Sequence, residues 1–173
     1  MKFEVYDIDN ILPEAVHHPG CNIISIRDAF TDEPTHEKYA CLDRIAARIG
    51  VNMLTLSFDD IDPYRFYNGM EHPSVKEKFA SGQIKPIFFN SEMAEDIVRW
   101  VKGIWDADRD ATVKVHCWAG MSRSQAVAYW LNIHFNLVLE RNLDDYFANN
   151  ARNVFEKVHF NCEVLRVFTS TFG

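Results

Sequence analysis

The chain has 173 residues, 47% of them hydrophobic, enough for one domain spanning residues 1–173 to bury roughly 70% of the surface its unfolded form would expose. Eighteen Lys and Arg against 25 Asp and Glu leave a net charge of −7, so the surface as a whole repels nucleic acid and anionic lipid. No apolar run is long enough to span a bilayer, and the first residues do not read as a secretion signal, which sets the expectation of a cytoplasmic protein with no membrane partner.

In chain order, a first strand is expected near Phe3–Tyr6 and a buried one at Asn22–Ile26. Thr35–Ile49 carries Tyr39, Leu42, Ile45, Ala46 and Ile49 at helical spacing and stops at Gly50. Met53–Phe58 is an apolar strand running into Asp59-Asp60-Ile61-Asp62-Pro63. Residues 62–86 then mix aromatics with turn residues around a short helical pattern at Ser74–Ala80, and Tyr64, Phe66 and Tyr67 are read either as a wall of a substrate entrance or as a local mini-core. Ser91 can cap a helix whose apolar face is Ala94, Ile97, Val98, Val101 and Ile104. Ala111–Val115 is a short β-branched run, Gln125–Phe135 a helix, and Leu139–Asn149 and Phe160–Phe168 close the chain as helices. Strands alternating with helices imply an α/β fold, a mostly parallel central sheet with helices on both faces.

The four cysteines, Cys21, Cys41, Cys117 and Cys162, lack zinc-ligand pairing. His17-His18-Pro19-Gly20-Cys21 reads as a turn rather than a metal site, so neither metal nor cofactor is expected. Arg27, just past a strand, is expected to form a surface ion pair rather than to touch a ligand.

The chemistry is concentrated in His116-Cys117-Trp118-Ala119-Gly120-Met121-Ser122-Arg123-Ser124, which bridges a strand end and a helix N-terminus. Backbone N–H groups at such a junction lack helical partners and can converge on one anion, favoured further by the aligned peptide dipoles. Five residues separate Cys117 from Arg123, so the loop can curl with the thiol at its floor and the guanidinium back at the rim, where its planar fork suits two phosphate oxygens. Gly120 supplies dihedral freedom and lets backbone approach a ligand. The same N–H groups and Arg123 favour thiolate over thiol and make Cys117 a candidate nucleophile.

This stretch resembles the His-Cys-x5-Arg-Ser/Thr signature loop of the cysteine-dependent protein tyrosine phosphatase superfamily, and its Ala-Gly-x-Ser-Arg-Ser form is similar to the dual-specificity branch. The resemblance implies the fold above and a phosphomonoester hydrolase with a phosphocysteine intermediate and no cofactor. It further implies a monomer acting on phosphorylated protein or peptide. By that likeness Cys117 attacks phosphorus, Arg123 binds phosphate oxygens and Ser124 hydrogen-bonds the departing thiolate. Backbone from Trp118, Ala119, Gly120, Met121 and Ser122 cradles the phosphate, and His116 orients the loop.

The family also uses an Asp on a separate loop to protonate the leaving oxygen. The resemblance to a strand that ends in a hydrophobic residue followed by one variable residue and Asp favours Asp60, with Asp59 and Asp62 open. The spacing of 117 − 60 = 57 positions is longer than compact dual-specificity members use, which marks residues 62–86 as an insertion and a candidate lid. Three other readings stand beside this one. They are the same chemistry on a phosphoinositide, nucleotide or RNA 5′ phosphate, for which basic residues inside the loop would be expected; a rhodanese-like sulfur transferase; and a non-catalytic phosphate-binding module. Trp118, beside the nucleophile, is a candidate for specificity.

Overall fold

The computed structural model describes residues 1–29, 33–61, 63–70, 73–80, 82, 85–139 and 161–172. Its elements are β1 (Lys2–Tyr6), α1 (Ile8–His17), β2 (Asn22–Arg27), α2 (Glu33–Ile49), β3 (Asn52–Ser57), α3 (Pro63–Tyr67), α4 (Pro73–Phe79), α5 (Ser91–Ala107), β4 (Thr112–His116), α6 (Arg123–Ile133), a π-helical extension His134–Leu139, and α7 (Cys162–Phe172). The expected helix at Leu139–Asn149 falls almost entirely outside the described residues.

The four strands form one parallel sheet in the order β1-β4-β2-β3. Alternation along each strand sorts side chains between two apolar layers. Ile24, Ile26, Leu56, Phe58, Val113, Val115 and Cys117 pack with α5, α6 and α7 on one face. Ile23 packs with Ile8, Ile11, Ala15, Tyr39 and Leu42 of α1 and α2 on the other. Trp130 ties the first layer together, stacking on Phe168 at 4.4 Å and on His134 at 4.5 Å. The fold is therefore α/β with helices on both faces, as the alternation of elements implies.

The strand order has a consequence for the site. The chain steps from β1 across to β2, on to β3, and returns to insert β4 between β1 and β2. The C-terminal end of β4 thus lies where connections diverge to opposite faces, the usual crevice position in open α/β sheets. Register aligns Tyr6, His116 and Ser25 across β1, β4 and β2.

Three local readings are corrected. Helix α1 has no counterpart in the sequence reading, which places only a turn at His17–Cys21 between the first two strands. It forms because Asp7 caps it, accepting from Asn10 N at 2.7 Å, and because Ile8, Ile11 and Ala15 bury one stripe while Pro13 stays on the exposed side. Helix α5 is capped by Asn90 rather than Ser91, with Asn90 Oδ1 accepting from Met93 N at 3.0 Å. Helix α6 begins at Arg123, two residues before the expected Gln125, which places Arg123 and Ser124 in its first turn.

Candidate active site

The loop after β4 is seated on the β1–α1 junction. Gly120 has φ of +66°, and a Cβ there would lie 2.9 Å from Tyr6 C, Tyr6 O and Asp7 N, so both the left-handed dihedral and the close approach require glycine. Ile8 N donates to Trp118 O at 3.2 Å, and Gln125 Nε2 donates to Gly120 O at 3.1 Å. Two loop carbonyls are thereby turned toward protein donors. Among the described residues, no hydrogen bond uses the N–H of Trp118, Ala119, Gly120, Met121 or Ser122 as donor. Ser122, the residue before α6, makes no side-chain capping bond. An uncapped helix start fed by a ring of unspent N–H groups is a cradle for a small anion.

Cys117 is buried at the floor of this cradle, its Sγ 3.1 Å from Ser124 Oγ. Arg123 lies deeper than the rim position read from the sequence. Its Nη1 donates to Phe58 O at 2.7 Å and forms an ion pair with Asp28 Oδ1 at 2.9 Å, while its Nε is buried with no protein partner. Burial disfavours its charge, but the carboxylates of Asp28 and Asp60 together with Cys117 outweigh that and raise the guanidinium above its ordinary value. Asp28 was not singled out from the sequence. Its position immediately after β2, beside Arg27, was the only available signal.

The three acidic candidates separate. Asp59 is 2% exposed and clamped to Ile87: its N donates to Ile87 O at 2.8 Å, and its Oδ2 accepts from Ile87 N at 3.0 Å. That carboxylate anchors the returning end of the 62–86 segment. Asp60 is exposed, and its Oδ1 accepts from Ser122 Oγ at 2.9 Å and from Asn161 Nδ2 at 2.7 Å. Asp62 lies outside the described residues.

In the 62–86 segment, Phe66 packs edge-on against Phe79 and Phe88 at 5.7 and 6.1 Å, as a small local core would. Tyr64 and Tyr67 are largely exposed.

On the opposite face His116 is fully buried, and its Nε2 lies 2.9 Å from Ser25 Oγ, which also accepts from Arg27 Nε at 3.1 Å. The Ser25 hydroxyl thus bridges Arg27 and His116, while His116 Nδ1 is buried without a hydrogen-bond partner among the described residues. Burial pushes His116 down to about 4, so the ring is neutral at physiological pH. Arg27 itself pairs with Asp43 through both terminal nitrogens, at 2.9 and 2.5 Å, the ion pair expected of it. Trp118 is 37% exposed and Met121 68%, and Lys38 Nζ sits 4.9 Å from the Trp118 ring centroid. His18 lies 3.6 Å from Glu14, and no cluster of three or more potential metal ligands occurs among the described residues.

No protein-family model and no curated protein sequence matches the chain. A solved structure described as the crystal structure of Tk-PTP in the active form is similar at 16% identity over 97% of this chain and 90% of that one, with a TM-score of 0.43. At that level of likeness the chemistry has to be argued from the site itself. No helix of the described residues is long and apolar enough to cross a membrane.

Proposed function

We propose that this chain is a cysteine-dependent phosphomonoesterase of the protein tyrosine phosphatase kind, acting on phosphorylated protein or peptide through a cysteinyl-phosphate. In the first step the Cys117 thiolate attacks phosphorus in line: the S–P bond forms, the P–O bond to the leaving group breaks, and Asp60 gives that oxygen a proton. In the second, water attacks the same phosphorus, Asp60 takes a water proton, and the S–P bond breaks to release phosphate and thiolate. Ser124, 3.1 Å from Cys117 Sγ, donates to that departing thiolate. Loop N–H groups and the Arg123 guanidinium offset the oxygen charge in both transition states.

One observation carries the reading. A buried thiol, an uncapped helix start, an arginine with an unspent buried Nε, and a carboxylate hydrogen-bonded to the loop's own Ser122 all meet at the end of β4. A merely structural cysteine needs none of these. The choice of a peptide substrate is supported by the exposed apolar Trp118 and Met121, by the absence of a basic side chain from Trp118 to Ser122, and by the net charge of −7. All three disfavour a polyanionic ligand.

The test is a substrate panel of phosphotyrosine, phosphoserine and phosphothreonine peptides set against a phosphoinositide, a nucleoside monophosphate and a 5′-phosphorylated RNA. Faster release of phosphate from the peptides supports the reading. Preference for lipid or RNA would reassign the substrate, and peptide binding without turnover would make the chain a phosphate-binding module.

A further inference from the structure

Asn161 comes from the far end of the chain, 101 positions from Asp60, and carries out two tasks at once. Its Oδ1 accepts from Val164 N at 3.1 Å, which caps helix α7. A backbone N–H can only donate, so the atom facing Val164 must be the amide oxygen, and the amide nitrogen necessarily faces Asp60 at 2.7 Å. The α7 cap thus fixes the orientation of the amide, and the amide fixes the role of Asp60 Oδ1 as an acceptor. Ser122 Oγ, 2.9 Å away, approaches the same oxygen.

Asn161 Nδ2 is an obligate donor to Oδ1, and with the Ser122 hydroxyl donating there too both in-plane lone pairs of Oδ1 are filled. In that arrangement Oδ2 is the oxygen left to carry the proton that Asp60 delivers. We infer that Asn161 is a positioning residue for the reaction: anchored by the C-terminal helix, it holds Asp60 against the phosphate loop and assigns proton delivery to Oδ2. This rests on the phosphatase reading above. It adds that α7, packed on α5 and α6 through Val164, Leu165 and Phe168, contributes to the chemistry as well as to the core.

The test separates the cap from the donor. Ser is as good an N-cap as Asn, so Asn161→Ser keeps α7 capped while removing the amide that reaches Asp60. Turnover is measured on aryl phosphates of graded leaving-group basicity, from phenyl phosphate to a fluorinated umbelliferyl phosphate whose phenolate departs without protonation. Help from an acid matters only when the leaving oxygen is basic. The expected result is a loss in kcat of about 10- to 100-fold on phenyl phosphate that shrinks to within about 3-fold on the fluorinated ester, with KM and thermal stability nearly unchanged.

Asn161→Ala removes the cap too and should show the same leaving-group dependence at lower stability. Equal losses on every ester, or no loss on any, would overturn the inference while leaving the nucleophile untouched. If the unmodified chain hydrolyses no ester at all, it is the phosphatase reading that fails.

Discussion

The two halves of the site are built in opposite ways. The proposed phosphate cradle is contiguous: nine residues, His116 to Ser124, hold the proposed nucleophile, cradle and cation on one strand-to-helix turn. The proposed acid side is assembled from Asp60 after β3, Ser122 from the loop and Asn161 from the start of α7, with 62 and 101 positions between the partners and Asp60. The contiguous half carries its chemical groups on one turn and uses Tyr6, Phe58 and Asp28 only as supports, whereas the assembled half depends on the packing of distant elements for the groups themselves. The two should therefore respond differently to substitution.

The sharpest break is expected in the contiguous half. Cys117→Ser removes the thiolate and should drop turnover to background, a loss of about 10⁶-fold, while phosphopeptide binding measured by calorimetry persists. On the assembled side, Asp60→Asn leaves the nucleophile in place and should lower kcat by about 10²- to 10⁴-fold on a phosphopeptide, with less effect on esters that leave unaided. A comparable loss in Asp59→Asn with Asp60→Asn near normal would reverse the assignment. Asp59 is held by Ile87, so its substitution should show in thermal stability instead.

Gly120→Ala probes the seat of the cradle. The new methyl meets the Tyr6–Asp7 peptide at 2.9 Å in a left-handed backbone. The strain should cost about 1–3 kcal/mol in urea unfolding, and displacement of the loop should lower turnover by about 100-fold.

How legible each half was follows from the same contrast. Cys117, Gly120 and Arg123 could be read in the chain because their chemistry needs fixed short spacing. Asp60 could be placed only within a group of three, since nothing local distinguishes a carboxylate clamped to Ile87 from one facing Ser122. Asn161 was swallowed by a helix drawn from Phe160, although Asn before a helical run is itself a capping signal. Its second partner, at Asp60, has no trace in the local sequence.

The fold behaves similarly. Apolar β-branched runs marked the central strands β2 and β4 because both their faces are buried, and the edge strand β3 was marked by Met53, Leu54 and Leu56 alone. Helix α1 has no counterpart in the sequence reading: Pro13 and the terminal histidines weaken its local signal, and packing of Ile8, Ile11 and Ala15 against Tyr39 and Leu42 stabilises it.

The smallest effect is on stability and comes from two imidazoles, the buried His116 and the half-buried His134. Burial lowers both His116 and His134 from 6.5 to about 4. Above pH 6.5 both states are neutral and the stability is fully present. As the pH falls from 6.5 toward 4 the unfolded chain takes up protons that the folded one refuses, so stability declines across that window. Urea titrations across this range should show that slope, and His134→Phe, which keeps an aromatic ring against Trp130, should make it shallower.

The most direct measurement is acid-quenched mass spectrometry of the enzyme during turnover of a phosphopeptide. A single phosphate should be found on the peptide containing Cys117, absent from Cys117→Ser and more abundant when the second step is slowed by Asp60→Asn on an easily hydrolysed ester. Sustained turnover with no phosphate on Cys117, or turnover retained in Cys117→Ser, would contradict the account.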